Sequence, residues 1–103
     1  VTDIEDDSEL PSEFALQGNY PNPFNPSTTI RFDLPQTADI SVTVVDLVGR
    51  EVMFVPTATF DAGSNRSIQI DAASLSSGIY MYRVVAQMQD GLQIKVGSMT
   101  LIK

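Results

Sequence analysis

The sequence predicts an all-β domain, a sandwich of two antiparallel sheets built from six or seven short strands. Three observations carry this reading. Apolar β-branched residues alternate with polar ones over several stretches, turn signals recur at short intervals, and no apolar pattern of helical spacing persists anywhere. The chain has 103 residues, 43% of them hydrophobic, which suits one domain with one core.

Each strand has its own justification. In the stretch from Thr28 to Leu34, Ile30, Phe32 and Leu34 point one way while Arg31 and Asp33 point the other. Ile40, Val42 and Val44 repeat the alternation, with Ser41 and Thr43 outward. Such a period of two marks strands with one wet face. Val48-Gly49-Arg50 turns into a strand near Glu51–Val55, which Pro56 ends or confines to a sheet edge. Ile68 and Ile70 sit in a further short strand. Ser76-Ser77-Gly78 leads into a strand ending at Met88, and Asp90-Gly91 predicts a two-residue hairpin loop. That loop would set Tyr82 opposite Met99 and Tyr80 opposite Leu101, placing Tyr80, Tyr82, Val84, Met99 and Leu101 on one core face. Nearer the turn Val85, Ile94 and Val96 lie on the other face, so a bulge or face switch is expected near Val96-Gly97.

Composition removes whole classes of function. There is no Cys, His or Trp, hence no disulfide, no thiolate or imidazole zinc site and no His-based acid–base chemistry. Ser74, Ser76 and Ser77 have no histidine to activate them and no Ser-x-x-Lys pair exists. The acids after residue 13 fall at turns or on outward positions (Asp33, Asp39, Asp46, Asp61, Asp71, Asp90), where solvation keeps them ordinary, and Asp61-Ala62-Gly63-Ser64-Asn65 reads as a plain turn. The chain is therefore read as non-catalytic, with no cofactor and no metal site. No apolar run reaches the ~20 residues of a membrane span. An export signal, if one is used, is expected upstream of Val1.

The net charge of −7 is unevenly placed. Residues 1–13 hold six acids and no base, and the remainder holds seven acids against six bases. Residues 1–13 are expected to form an acidic flexible linker; the acids at positions 3–7 lack the glycine and distal Glu of an EF-hand loop. Neither part offers a basic stripe for phosphates, so no nucleic-acid partner is expected.

The segment Gly18-Asn19-Tyr20-Pro21-Asn22-Pro23-Phe24-Asn25-Pro26-Ser27 stands apart. Three prolines restrict the residues before them, and three asparagines can close Asx turns. The result is a rigid loop, read either as a structural clasp between the first two strands or as a preformed recognition surface. Tyr20 and Phe24 are expected to dock as lids over one end of the sandwich.

The run Asn19-Tyr20-Pro21-Asn22-Pro23-Phe24-Asn25-Pro26-Ser27-Thr28-Thr29-Ile30 resembles the opening of the C-terminal sorting domains of the Bacteroidetes type IX secretion system. Phe32-Asp33-Leu34-Pro35, the stretch from Val42 to Asp46, Gly49-Arg50-Glu51-Val52, Ala62-Gly63, Asp71 and Leu75 are similar in order and spacing. So are Ser77-Gly78-Ile79-Tyr80-Met81-Tyr82-Arg83 and the closing Met99-Thr100-Leu101-Ile102-Lys103. Where that family commonly carries Lys before the Met, this chain has Ser98.

The resemblance implies an immunoglobulin-like, seven-stranded sandwich over residues 14–103, attached to an upstream cargo domain. It implies export through the periplasm, an outer-membrane type IX translocon and a surface sortase as partners, and a destination at the cell surface or outside. Cleavage, where used, would fall within residues 1–13. The recognition motif it implies is Asn19, Tyr20, Pro21, Asn22, Pro23, Phe24, Asn25 and Pro26, with Gly49, Gly78, Tyr80, Tyr82, Met99 and Lys103. The final strand, as an edge, could be read by β-augmentation, with Lys103 a compact charged feature beside it. Similar sandwiches occur in flagellar hook-capping proteins, so the fold by itself leaves the role open. The alternatives are a passive spacer and a carbohydrate-binding module using Tyr80 and Tyr82. Burial of both tyrosines favours the sorting domain, and exposure of both favours sugar.

Overall fold

A computed structural model describes residues 10–103. The expected acidic linker and cleavage region thus lie, as far as Glu9, outside the described residues. Seven strands form two sheets: β1 (Ala15–Tyr20), β2 (Ser27–Leu34), β3 (Ala38–Val45), β4 (Glu51–Phe60), β5 (Gly63–Asp71), β6 (Gly78–Met88) and β7 (Gly91–Leu101). The strand order is β1-β2-β5 in one sheet and β4-β3-β6-β7 in the other, and every neighbouring pair is antiparallel. This is the two-sheet sandwich expected from the alternation and turn spacing, with the seven strands of the immunoglobulin-like form that the resemblance implies.

The inward residues read from the sequence are the core. Ile30, Phe32 and Leu34 of β2 face Ile40, Val42 and Val44 of β3, all with no exposed surface. Ile68 and Ile70 of β5, Tyr82, Val84 and Ala86 of β6, and Met99 and Leu101 of β7 complete it. Phe32 sits centrally, edge-on to Phe14 at 6.4 Å and to Phe60 at 5.4 Å between ring centroids. Strand β4 is an edge, as Pro56 requires, but it continues past the proline to Phe60 because a register shift opposite β3 between Val55 and Ala58 accommodates it.

The β6–β7 hairpin corrects two expectations. Its loop is Gln89-Asp90, with Gly91 (φ +141°) already paired to Met88, so the register moves by two residues: Tyr82 faces Gly97 and Tyr80 faces Met99. The face assignment survives, because a shift of two keeps parity. The expected bulge or face switch at Val96-Gly97 is absent, and the ladder runs unbroken from Gly78–Leu101 to Met88–Gly91. Gly97 serves packing instead. A Cβ there would lie 2.5 Å from Cζ and Oη of Tyr82, so the ring needs a glycine as its cross-strand partner, and this fixes the register. Val85, Ile94 and Val96 accordingly stay on the outer face.

Two changes test this packing. Phe32→Ala should lower unfolding free energy by about 3–5 kcal/mol in urea titrations. Gly97→Val should cost about 1–3 kcal/mol by forcing the Tyr82 ring out of place, and the companion Tyr82→Ala, Gly97→Val double variant should show non-additive recovery.

Candidate functional site

The Asn/Pro segment leaves β1 at Tyr20 and enters β2 at Ser27, and between them it crosses to the opposite sheet. All three X–Pro bonds, at Pro21, Pro23 and Pro26, are cis. Phe24 is buried and pairs in parallel with the end of β7: its N–H donates to Thr100 C=O at 2.9 Å, and its C=O accepts from Ile102 N–H at 2.9 Å. One step earlier the Asn22 side chain continues the pairing. Its Oδ1 accepts from Thr100 N–H at 3.0 Å and its Nδ2 reaches Ser98 C=O at 3.4 Å. A primary amide carries the same donor and acceptor as a peptide group, so Asn22 caps the edge as a further strand residue would. These contacts realise the clasp, although it joins β1 and β2 to β7 rather than only to each other.

The interior of the clasp is polar and satisfied. Thr28 is fully buried; its hydroxyl donates to Pro21 C=O at 2.7 Å and accepts from Asn19 Nδ2 at 3.1 Å. Asn19 Oδ1 in turn accepts from Asn22 Nδ2 at 3.4 Å and Tyr82 Oη at 3.5 Å. The asparagines therefore bond across the loop, and the expected Asx turns do not form at Asn19 or Asn22. At the β2 end, Pro26 C=O accepts from Ala72 N–H at 2.9 Å.

The two expected lids part company. Phe24 is 3% exposed, whereas Tyr20 is 75% exposed and covers nothing. As the last residue of β1, paired with Thr29, Tyr20 follows the strand's alternation outward, and its ring stands in water beside exposed Pro21, Asn22 and Pro23. Tyr80 and Tyr82 are 7% and 1% exposed, so they offer no sugar-stacking platform. Tyr80 Oη donates to Ser76 C=O at 2.6 Å, and burial pushes the Tyr82 phenol above its usual pKa.

Other predicted positions lie nearby. Gly78 pairs with Leu101, Tyr80 with Met99, and Met99 is a core residue. Lys103 is exposed; its N–H donates to Ser77 Oγ at 3.0 Å and its Nζ to Ala73 C=O at 2.6 Å, which ties the chain after β7 to the loop before β6. Gly49 stands apart, two strands across the sheet from β7, in a turn where φ +91° requires glycine. Asp46 organises that turn: its carboxylate accepts from the N–H of Arg50 at 2.9 Å and of Val48 at 3.0 Å, and pairs with Arg50 Nε at 3.0 Å. Asp46 is thus not an ordinary solvated acid, because the Arg50 backbone N–H foremost, with its guanidinium, holds the carboxyl below the usual 3.8.

Thr28, Gly97 and Thr100 were not singled out as site residues by the sequence reasoning. Thr28 had a legible signal, since it occupies the inward parity of Ile30, Phe32 and Leu34, where a hydroxyl must find a buried partner. A cleft of about 340 Å³ opens between β1 and β7, lined by Asn19, Asn22, Tyr82 and Gly97 among others. Its one titratable group is Tyr82, so it supplies hydrogen bonds and no acid–base pair. No metal-holding cluster occurs among the described residues, and no helix there is long and apolar enough to cross a membrane.

The site is thus a proline-rich loop bonded through its main chain to β7 of a β-sandwich. Comparison with known proteins places this architecture in a family. A family profile described as the secretion system C-terminal sorting domain matches residues 19–96, and the chain belongs to this family of type IX sorting tails. No curated protein matches it. Among solved structures, dimeric latent PorU from Porphyromonas gingivalis superposes with a TM-score of 0.69 at 21% identity, covering 86% of this chain and 9% of PorU. CopC from Methylosinus trichosporium OB3b superposes with a TM-score of 0.58 at 19% identity, covering 86% of this chain and 93% of CopC. At these identities both share the fold alone, and the chain spans only a small part of PorU.

Two measurements probe the site. Asn22→Ala should cost about 0.5–1.5 kcal/mol for each lost hydrogen bond, and amide exchange should quicken at Thr100 while Val84 stays protected. For Asp46, a carboxyl held low in the folded state stabilises above its unfolded pKa and loses that contribution as pH falls through the folded value. The stability gap between wild type and Asp46→Asn should therefore be constant near pH 7 and close only below pH 3.8.

Proposed function

We propose that this domain is the address of a larger exported chain, read by an outer-membrane type IX translocon through the Asn/Pro clasp together with β7. A sorting signal of this family belongs to a secreted protein bound for the cell surface or the outside. The observation that carries the finer reading is the clasp itself. Its backbone is fixed to Thr100 and Ile102, yet Tyr20, Pro21, Asn22, Pro23 and Asn25 face solvent. A large aromatic held in water by a rigid loop suits docking, since little conformational entropy remains to be lost on binding. The domain has no catalytic role in this reading. Its cargo lies upstream, it transits the periplasm, and a surface sortase cuts or attaches the cargo within residues 1–13. Lys103 contributes a charge that a receptor can read beside β7.

The test places residues 1–103 behind a signal peptide and a fluorescent reporter, in a type IX-competent bacterium and its translocon-null sibling. Reporter outside the first strain alone is the expected result, with N-terminal sequencing locating any cut. Tyr20→Ala and Lys103→Ala should each reduce export at least about tenfold, with a stability change of no more than about 0.5 kcal/mol for Tyr20→Ala and about 0.5–1.5 kcal/mol for Lys103→Ala, which loses its bond to Ala73 C=O. Reporter held in the periplasm of both strains would sink the sorting reading, and full export of both variants would remove Tyr20 and Lys103 from the recognition surface.

A further inference from the structure

The clasp covers only half of the β7 edge. In an antiparallel ladder, alternate residues turn both backbone groups toward the neighbouring strand or away from it. Ser98, Thr100 and Ile102 bond to Asn22 and Phe24, so the even-numbered residues of β7 aim their peptides away from β6. By the same parity Leu92, Ile94 and Val96 do so too, and no backbone bond outside the sheet ladders reaches them among the described residues. Their side chains lie on the outer face, 55%, 51% and 53% exposed, with Val85 as the cross-strand partner of Ile94. This stretch has no bulge and no proline, and its one charge, Lys95, points to the other face. Sheet edges in monomeric proteins usually carry such blocking devices.

We propose that this free edge pairs antiparallel with the same edge of a second copy of the chain, about a twofold axis through Ile94, to form one eight-stranded sheet. Self-complementarity selects both the occupant and the register. Outward backbone must meet outward backbone, so even positions face even positions. An axis at Ile94 sets Ile94 against Ile94 and Leu92 against Val96, joining the two outer apolar stripes. It also sets Lys95 against Gln93, so no like charges meet. An axis at Lys95 would oppose two lysines and would set Leu92 against Ser98, whose carbonyl Asn22 already occupies. An axis at Gln93 would set Val96 against Asp90, which lies in the turn. The clasp therefore limits the pairing to Leu92–Val96. From Phe14 onward the chain carries seven acids and six bases, so the part that pairs is nearly neutral; the six acids of residues 1–13 repel between copies and are screened by salt. The contact is isologous and short, and the dimer is correspondingly weak.

Sedimentation equilibrium of residues 1–103 up to about 1 mM should show a reversible monomer–dimer equilibrium, with amide exchange at Leu92, Ile94 and Val96 slowing as concentration rises. Ile94→Lys should weaken association at least about tenfold, because each lysine then faces its twin. Mixing Ile94→Lys with Ile94→Glu should restore a heterodimer, and unchanged urea midpoints would certify that both variants fold. A wild type that stays monomeric throughout overturns the proposal. So does a dimer indifferent to Ile94→Lys, or a Lys/Glu mixture that remains monomeric. Export of the reporter fusion by a monomeric Ile94→Lys variant leaves the sorting reading intact, so the two ideas fail separately.

Discussion

The parallel pairing of Phe24 with Thr100 and Ile102 is the contact on which the rest of this domain depends. A sandwich joins its sheets through side chains alone, and each sheet keeps two edges. Here a main-chain bond crosses from the β1–β2 connection to the opposite sheet, closing one corner of the molecule. Phe24 becomes a core residue by virtue of that bond, and the Asn22 amide extends it to Ser98 and Thr100. The prolines restrict the backbone, Thr28 absorbs the polar groups that the crossing buries, and Tyr20 is left outside because the strand parity before the crossing points it there.

A second constraint acts inside the hairpin that supplies the clasp's partner strand. Tyr82 is the largest fully buried side chain, and it lies over a position where no other side chain fits. Its ring thereby fixes the β6–β7 register, which in turn brings Thr100 level with Asn22 and Phe24. The hydroxyl of the same tyrosine reaches Asn19, so one residue touches both the register and the loop. Packing and the clasp are thus coupled through a single ring.

Most of the architecture was legible in the sequence because one face of each central strand is buried. Ile30, Phe32 and Leu34, and Ile40, Val42 and Val44, announce their direction by alternation alone, and the face shared by Tyr80, Tyr82, Met99 and Leu101 was found although the register was off by two. Register itself depends on steric detail across the ladder, which turn chemistry at Asp90-Gly91 could not supply. The edge strand β4 runs beyond the stop that Pro56 suggests, since a bulge lets it pass the proline. In the site, the rigidity of the Asn/Pro run followed from residue type, but its partner did not: nothing local says that Asn22 will bond residues 76 and 78 positions away. Tyr20 and Phe24 look alike as aromatics, and only the crossing of the chain between them separates the exposed ring from the buried one.

That separation along the chain has a consequence for timing. A polypeptide elongated only as far as β6 holds every part of the clasp except the strand it grips. Its loop has no Thr100 or Ile102 to bond, and Phe24 has no finished corner to enter. Pairings this distant in sequence are intrinsically slow to form. The loop therefore locks only once the chain through Ile102 is present, and a shape that depends on the lock certifies that translation has reached that point.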